Sequence, residues 1–143
     1  MKYIKTTWNI LFKNPVITAI FSITSIFFLF AWIFGWSSTE LQIDKVVHAI
    51  LPATGALLLY ATLVKSHILP RVSNQFGIIL MIILLGCFIE TVWEIGEFTA
   101  EPLFNADIQY GNFDTMMDIV MAFIGSAIAG LWYAANPKQL KIE

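Results

Sequence analysis

Four apolar stretches, at about residues 15–36, 46–64, 76–98 and 115–135, constrain this chain more than any other feature. Each is roughly as long as the ~20 residues a helix needs to cross the ~30 Å hydrocarbon core of a bilayer. Lipid offers a backbone N–H or C=O no outside partner, so a spanning segment must satisfy its own hydrogen bonds, and these stretches read as helices. The expected fold class is all-α: a four-helix transmembrane bundle in a single domain, residues 1–143. Composition agrees, because 58% of the residues are hydrophobic and only 13% charged. A soluble domain of this size needs a more polar surface.

The first stretch opens on Asn14–Pro15, a cap followed by proline at the first helical position. It closes with Trp32 and Trp36, which suit an interfacial belt. It is longer than the apolar core of a cleaved signal, and no small-x-small cleavage site follows it, so it is expected to be retained. Ahead of it, Ile4, Trp8, Leu11 and Phe12 share one face with Lys2, Lys5 and Lys13 alongside, the pattern of a short interfacial N-terminal helix.

Basic residues set the orientation. Every lysine and arginine except Lys45 lies at the N-terminus, in the loop carrying Lys65 and Arg71, or at the C-terminus with Lys138 and Lys141. The positive-inside rule then predicts N-in/C-in, with both termini cytoplasmic and the chain in the cell (inner) membrane. No basic stripe points to nucleic acid. A lone cysteine, Cys87, cannot form an internal disulfide.

Acidic residues contribute little to topology, yet they gather at the other side. The second stretch begins Asp44-Lys-Val-Val-His48, the third ends Glu90-Thr-Val-Trp-Glu94-Ile-Gly-Glu97, and the fourth begins Asp114-Thr-Met-Met-Asp118. Steps of three and four put each set on one helix face. The three stripes lie at a common depth. Glu90 comes fourteen residues after Phe76, about 21 Å of helix rise, and so well inside the hydrocarbon. Intramembrane charges cost about 2.5–3.5 kcal/mol each on the gentlest scale and by default mark function. Converging carboxylates also repel unless something positive sits among them. Lys45 is the one local cation, and its backbone lies about 100° round the helix from Asp44.

A bound divalent metal answers that repulsion. Asp44, His48, Glu90, Glu94, Asp114 and Asp118 are the candidate ligands. Histidine with carboxylates suits Zn, Mn or Fe, and carboxylates alone favour Mg, Mn or Ca. Glu97, left uncoordinated, is the candidate general base for a metal-activated water. Pro52, four residues after His48, cannot donate to the His48 carbonyl, which frees that oxygen for another partner. Asp44, His48 and Gly55 share their spacing with Asp114, Asp118 and Gly125, as two related hairpins would; close helix packing also accounts for the glycines. The segment EPLFNADIQYGNF reads as an outer loop over the site mouth, with Asp107, Gln109 and Tyr110 available to a ligand.

Glu90-xx-Trp93-Glu94-xx-Glu97, followed by Gly111-xx-Asp114-Thr-xx-Asp118 and Gly125, resembles the YjdF-type family of small bacterial inner-membrane proteins, over roughly residues 40–130. Asp44-Lys45-xx-His48 also resembles the opening motif of VanZ-like proteins, although Ala122 stands where their later asparagine would be. The resemblance implies that the acids matter without naming a reaction.

Function is therefore expected from a polar, metal-binding site on the extracytoplasmic side. The leading expectation is a metal-dependent hydrolase acting on a lipid or lipid-linked envelope substrate. The alternatives are an ion- or proton-coupled transporter or channel subunit, and a structural or regulatory membrane partner. The lipid bilayer is the expected surrounding, and a homo-oligomer is compatible with every reading.

Overall fold

The computed structural model describes residues 15–33, 43–104 and 111–138. Over these residues it is all-α, with four helices in chain order: α1 (Pro15–Ile33), α2 (Ile43–Lys65), α3 (Gln75–Phe104) and α4 (Asn112–Ala135). The interfacial helix expected before residue 14, Trp36, and the loop residues Asp107, Gln109 and Tyr110 lie outside the described residues. Three helices, α2, α3 and α4, are long and apolar enough to cross a membrane. The shorter α1 packs on α2 and turns Ile23, Ile26, Leu29 and Phe30 outward.

The helix ends follow from local chemistry. Asp44 in the first turn of α2 and Lys65 in its last turn both complement the helix dipole. After Lys65 the chain stops in a Schellman turn: Ile68 N–H donates to the Leu63 carbonyl at 2.9 Å and His67 N–H to the Val64 carbonyl at 3.0 Å. His67 takes the left-handed position there, at φ 58°, where glycine is usual. Asn74 caps α3 by accepting from the Gly77 N–H at 2.6 Å. At the end of α4 the Asn136 N–H and amide both return to the Trp132 carbonyl, and Pro137 follows.

Three boundaries differ from the expected apolar stretches; one is that α4 starts at Asn112 rather than near residue 115. Helix α3 runs 30 residues to Phe104, beyond the expected end near residue 98, so Glu101 is helical as well as Glu97. The first residues of the expected outer loop therefore belong to this helix. Pro102 sits in its last turn, where a missing N–H breaks one bond of the ladder without ending the helix. Helix α2 starts at Ile43, ahead of the apolar stretch, and holds Asp44 one turn below His48 as their spacing predicts.

Helices α2, α3 and α4 pack on one another. At one end their interior is apolar, with Tyr60, Ala61, Val64, Ile78, Ile82 and Tyr133 in one cluster. Tyr60 and Tyr133 meet edge to face at 5.9 Å between ring centres. Toward the other end the interior stripe of α3 passes through Gly86 to Glu90 and Glu94, and that of α4 passes through Ser126 and Ala122 to Asp118. Small residues let the helices close up: a methyl at Gly125 would overlap the Ala49 carbonyl, and one at Gly86 would overlap the Ser126 hydroxyl. Several threonine hydroxyls are satisfied within their own helices, as Thr54 to the Ile50 carbonyl and Thr91 to the Cys87 carbonyl, both at 2.8 Å.

Candidate metal centre

The three ionisable stripes converge at the end of the bundle where α2 and α4 begin. His48 is at the centre. It is 4% exposed, and both its ring nitrogens face carboxylates. Nε2 lies 3.2 Å from Asp44 Oδ1 on its own helix, and Nδ1 lies 2.5 Å from Glu90 Oε1 on α3. Glu94, one turn beyond Glu90, brings Oε1 to 3.9 Å from the same Nδ1. Glu90 and Glu94 are 1% and 6% exposed. Thr115 on α4 hydrogen-bonds the Glu94 carboxylate, yet Glu94 Oε1 is enclosed with no hydrogen-bond partner.

A neutral imidazole has one N–H and one lone pair. Here neither nitrogen faces a donor. If Nε2–H donates to Asp44, the Nδ1 lone pair points at Glu90. That contact is repulsive unless a cation, a proton or a metal ion, is shared between them.

The second half of the site was not legible from helical angles. Lys45 leaves α2 well round from Asp44, but its long side chain folds back across the interface. Its ammonium lies 2.5 Å from Asp114 Oδ1, 2.7 and 2.9 Å from the two oxygens of Asp118, and 3.4 Å from Asp44 Oδ2. The helical angle between Lys45 and Asp44 therefore does not keep this cation out of the cluster, and two aspartates of α4 already have a counter-ion. The count still falls short. Asp44, Glu90, Glu94, Asp114 and Asp118 bring five carboxylates to one ammonium and one histidine.

Among the described residues, two groups offer ligand atoms that all lie within 4.8 Å of one another: His48 with Glu90 and Glu94, and Asp44 with His48 and Asp118. They are not equivalent. Lys45 touches Asp44 and Asp118 in the second group and none of the first. Asp114 belongs to neither group and serves Lys45. Glu97, the candidate base, also stands apart. Its Oε1 accepts from Trp93 Nε1 at 2.7 Å, one turn beyond Glu94. Thr115 is the site residue that sequence reasoning missed, together with two contacts: the reach of Lys45 to Asp114 and Asp118, and the bond between Trp93 and Glu97. For Lys45 the usable signal was its reach, because a lysine side chain spans more than one helix face.

Residues 6–139 match the family described as predicted membrane protein (DUF2238). The chain belongs to that family. It is a multi-pass membrane protein with a buried histidine–carboxylate cluster among its helices. No curated protein and no solved structure matches it.

Proposed function

We propose that His48, Glu90 and Glu94 bind one divalent metal ion, and that this ion activates water for hydrolysis of a lipid or lipid-linked envelope substrate. The observation that carries the reading is the enclosed Glu94 Oε1, which has no hydrogen-bond partner and lies beside a histidine nitrogen and a second carboxylate. A buried carboxylate oxygen left without a donor is costly, and a metal ion satisfies it together with Glu90 and His48. Asp44 then takes the Nε2–H of His48. That is the usual outer partner of a metal-bound imidazole, which fixes the tautomer and the ring. Lys45 holds Asp114 and Asp118 and keeps them out of the ligand set.

A set of three protein ligands, His48, Glu90 and Glu94, would match the ligand number of catalytic rather than structural zinc sites. An ion held by them would supply acidification of a water toward neutral pH, and so a nucleophile. Glu97, anchored by Trp93 at the rim, is the proposed general base. The chain crosses the membrane four times in this reading, α1 included, with both termini cytoplasmic and the acidic end facing outward.

A second reading rests on the same imidazole. A histidine between two carboxylates also holds and passes a proton, as in a coupled transporter. Among the described residues, however, the opposite end of the α2–α3–α4 interior is closed by the apolar cluster around Ile82 and Tyr60.

The test is product release from vesicles. Purified protein reconstituted with native envelope lipids is supplied with Zn, Mn or Mg, and water-soluble headgroups are followed by mass spectrometry. Metal-dependent release that disappears in Glu94→Gln supports the hydrolase. Ion flux without release, abolished by the same variant, favours the transporter.

A further inference from the structure

Recognition of a phosphate or carboxylate draws on lysine, arginine or the open N-terminus of a helix. Among the described residues none of these is left over at the acidic end of the bundle. Lys45 is the sole lysine or arginine of residues 14–64 and 72–137. Its ammonium is taken up by Asp44, Asp114 and Asp118 at 2.5–3.4 Å. Helices α2 and α4 start at this end, but each carries an aspartate in its first turn, which already answers the positive end of its dipole. Helix α3 turns its C-terminal, negative end the same way.

The balance stays negative even when a metal is counted. Five carboxylates face one ammonium, and a divalent ion beside a neutral His48 leaves two negative charges over. Glu97 and Glu101 continue the acidic character along the outer turns of α3. Away from bulk water such a field favours a cation and costs an anion more than it would in solution. Trp93 offers that cation a seat. Its indole is 40% exposed and borders the same small cleft as His48 and Glu90. Its N–H donates to Glu97 at 2.7 Å, so a carboxylate sits at the positive edge of the ring and makes the π face more negative. Indole is the best of the aromatic faces for a cation.

We propose that this site recognises an amphiphile whose polar head carries an ammonium group, seated over Trp93 at the rim, and that it rejects heads of net negative charge. The inference deepens the hydrolase reading and rests on it for the chemistry that follows binding. The charge preference itself comes from the carboxylates and the indole. Trp93 becomes a specificity-determining residue, and Glu97 acts on it through the indole N–H.

The experiment is calorimetric titration of the full chain in a neutral maltoside detergent, with hexyltrimethylammonium and hexyl phosphate as probes. Bound metal is measured on the same preparation. A quaternary ammonium has no lone pair, so its binding reports charge and ring rather than metal coordination. It should bind about ten-fold more tightly than hexyl phosphate. Most of that affinity should be lost in Trp93→Leu and part of it kept in Trp93→Phe, with bound metal unchanged. Where Trp93→Leu does not fold, Glu97→Gln should weaken the ammonium several-fold. Hexyl phosphate binding as tightly as the ammonium, or ammonium affinity unchanged in the Trp93 and Glu97 variants, overturns the proposal. Ammonium selectivity without bound metal supports the recognition and removes the hydrolase reading. Bound metal without selectivity removes the ammonium proposal alone.

Discussion

His48 is the residue on which the account turns, because both its nitrogens are committed. Asp44 fixes one of them at 3.2 Å without being a ligand in the favoured group. Asp44→Asn should therefore weaken metal affinity by about 10–100-fold, the usual cost of losing an outer partner, without abolishing it. A competition titration with a chelating dye measures this. Loss as complete as in His48→Ala would make Asp44 a direct ligand. Lys45 makes a contrasting prediction. Lys45→Met strands Asp118, which is 3% exposed, with no counter-ion. It should cost about 3 kcal/mol, the low end for breaking a buried pair. Added Mg or Ca should recover part of that loss in a thermal unfolding assay in detergent. The histidine and the carboxylates were legible as stripes at four-residue spacing. The lysine was not, because helical angle describes where a side chain starts and says little about where five bonds let it end.

At the scale of elements, α2 and α4 are the intimate pair. Gly125 lies against the Ala49 backbone, and a methyl there would overlap a carbonyl that cannot rotate away. Gly125→Leu should push the helices apart and destabilise the bundle by about 1–3 kcal/mol, read as a lower midpoint of thermal unfolding. Gly96, with nothing within 4 Å of a would-be methyl, should accept alanine without loss. Helix existence was readable from apolar length alone, since lipid leaves the backbone few choices. Helix ends were less readable. Hydropathy marks where a helix leaves hydrocarbon, but α3 continues through Glu97 and Glu101 to Phe104 because nothing in its polar part breaks the ladder before Pro102. Glu97 lies on the same helix as its partner Trp93, so the rim of the site moves with its floor.

For the whole molecule, the division of labour runs along the bundle axis. One end is apolar and closed around Tyr60 and Tyr133, and the other holds the ionisable cluster. Charge placement predicts that the closed end faces the cytoplasm. A reporter fused after residue 143 should be active if it requires the cytoplasm and silent if it requires export. The reverse pattern would put the cluster on the inner side and remove extracytoplasmic lipids as substrates. The position of Glu90 along α3 was legible from the count of residues after Phe76. Which carboxylates face one another was not, because that depends on the rotation of three helices set by Gly86, Gly125 and Gly130. The central claim is that a metal ion joins Glu94 to His48 and Glu90. The most direct measurement is the metal content of the detergent-purified protein by plasma mass spectrometry, beside His48→Ala and Glu94→Gln. The account predicts close to one divalent ion per chain, lost in both variants while each still elutes as a folded species. A wild-type protein that holds no metal and shows no affinity for added Zn, Mn, Fe, Mg or Ca would contradict it.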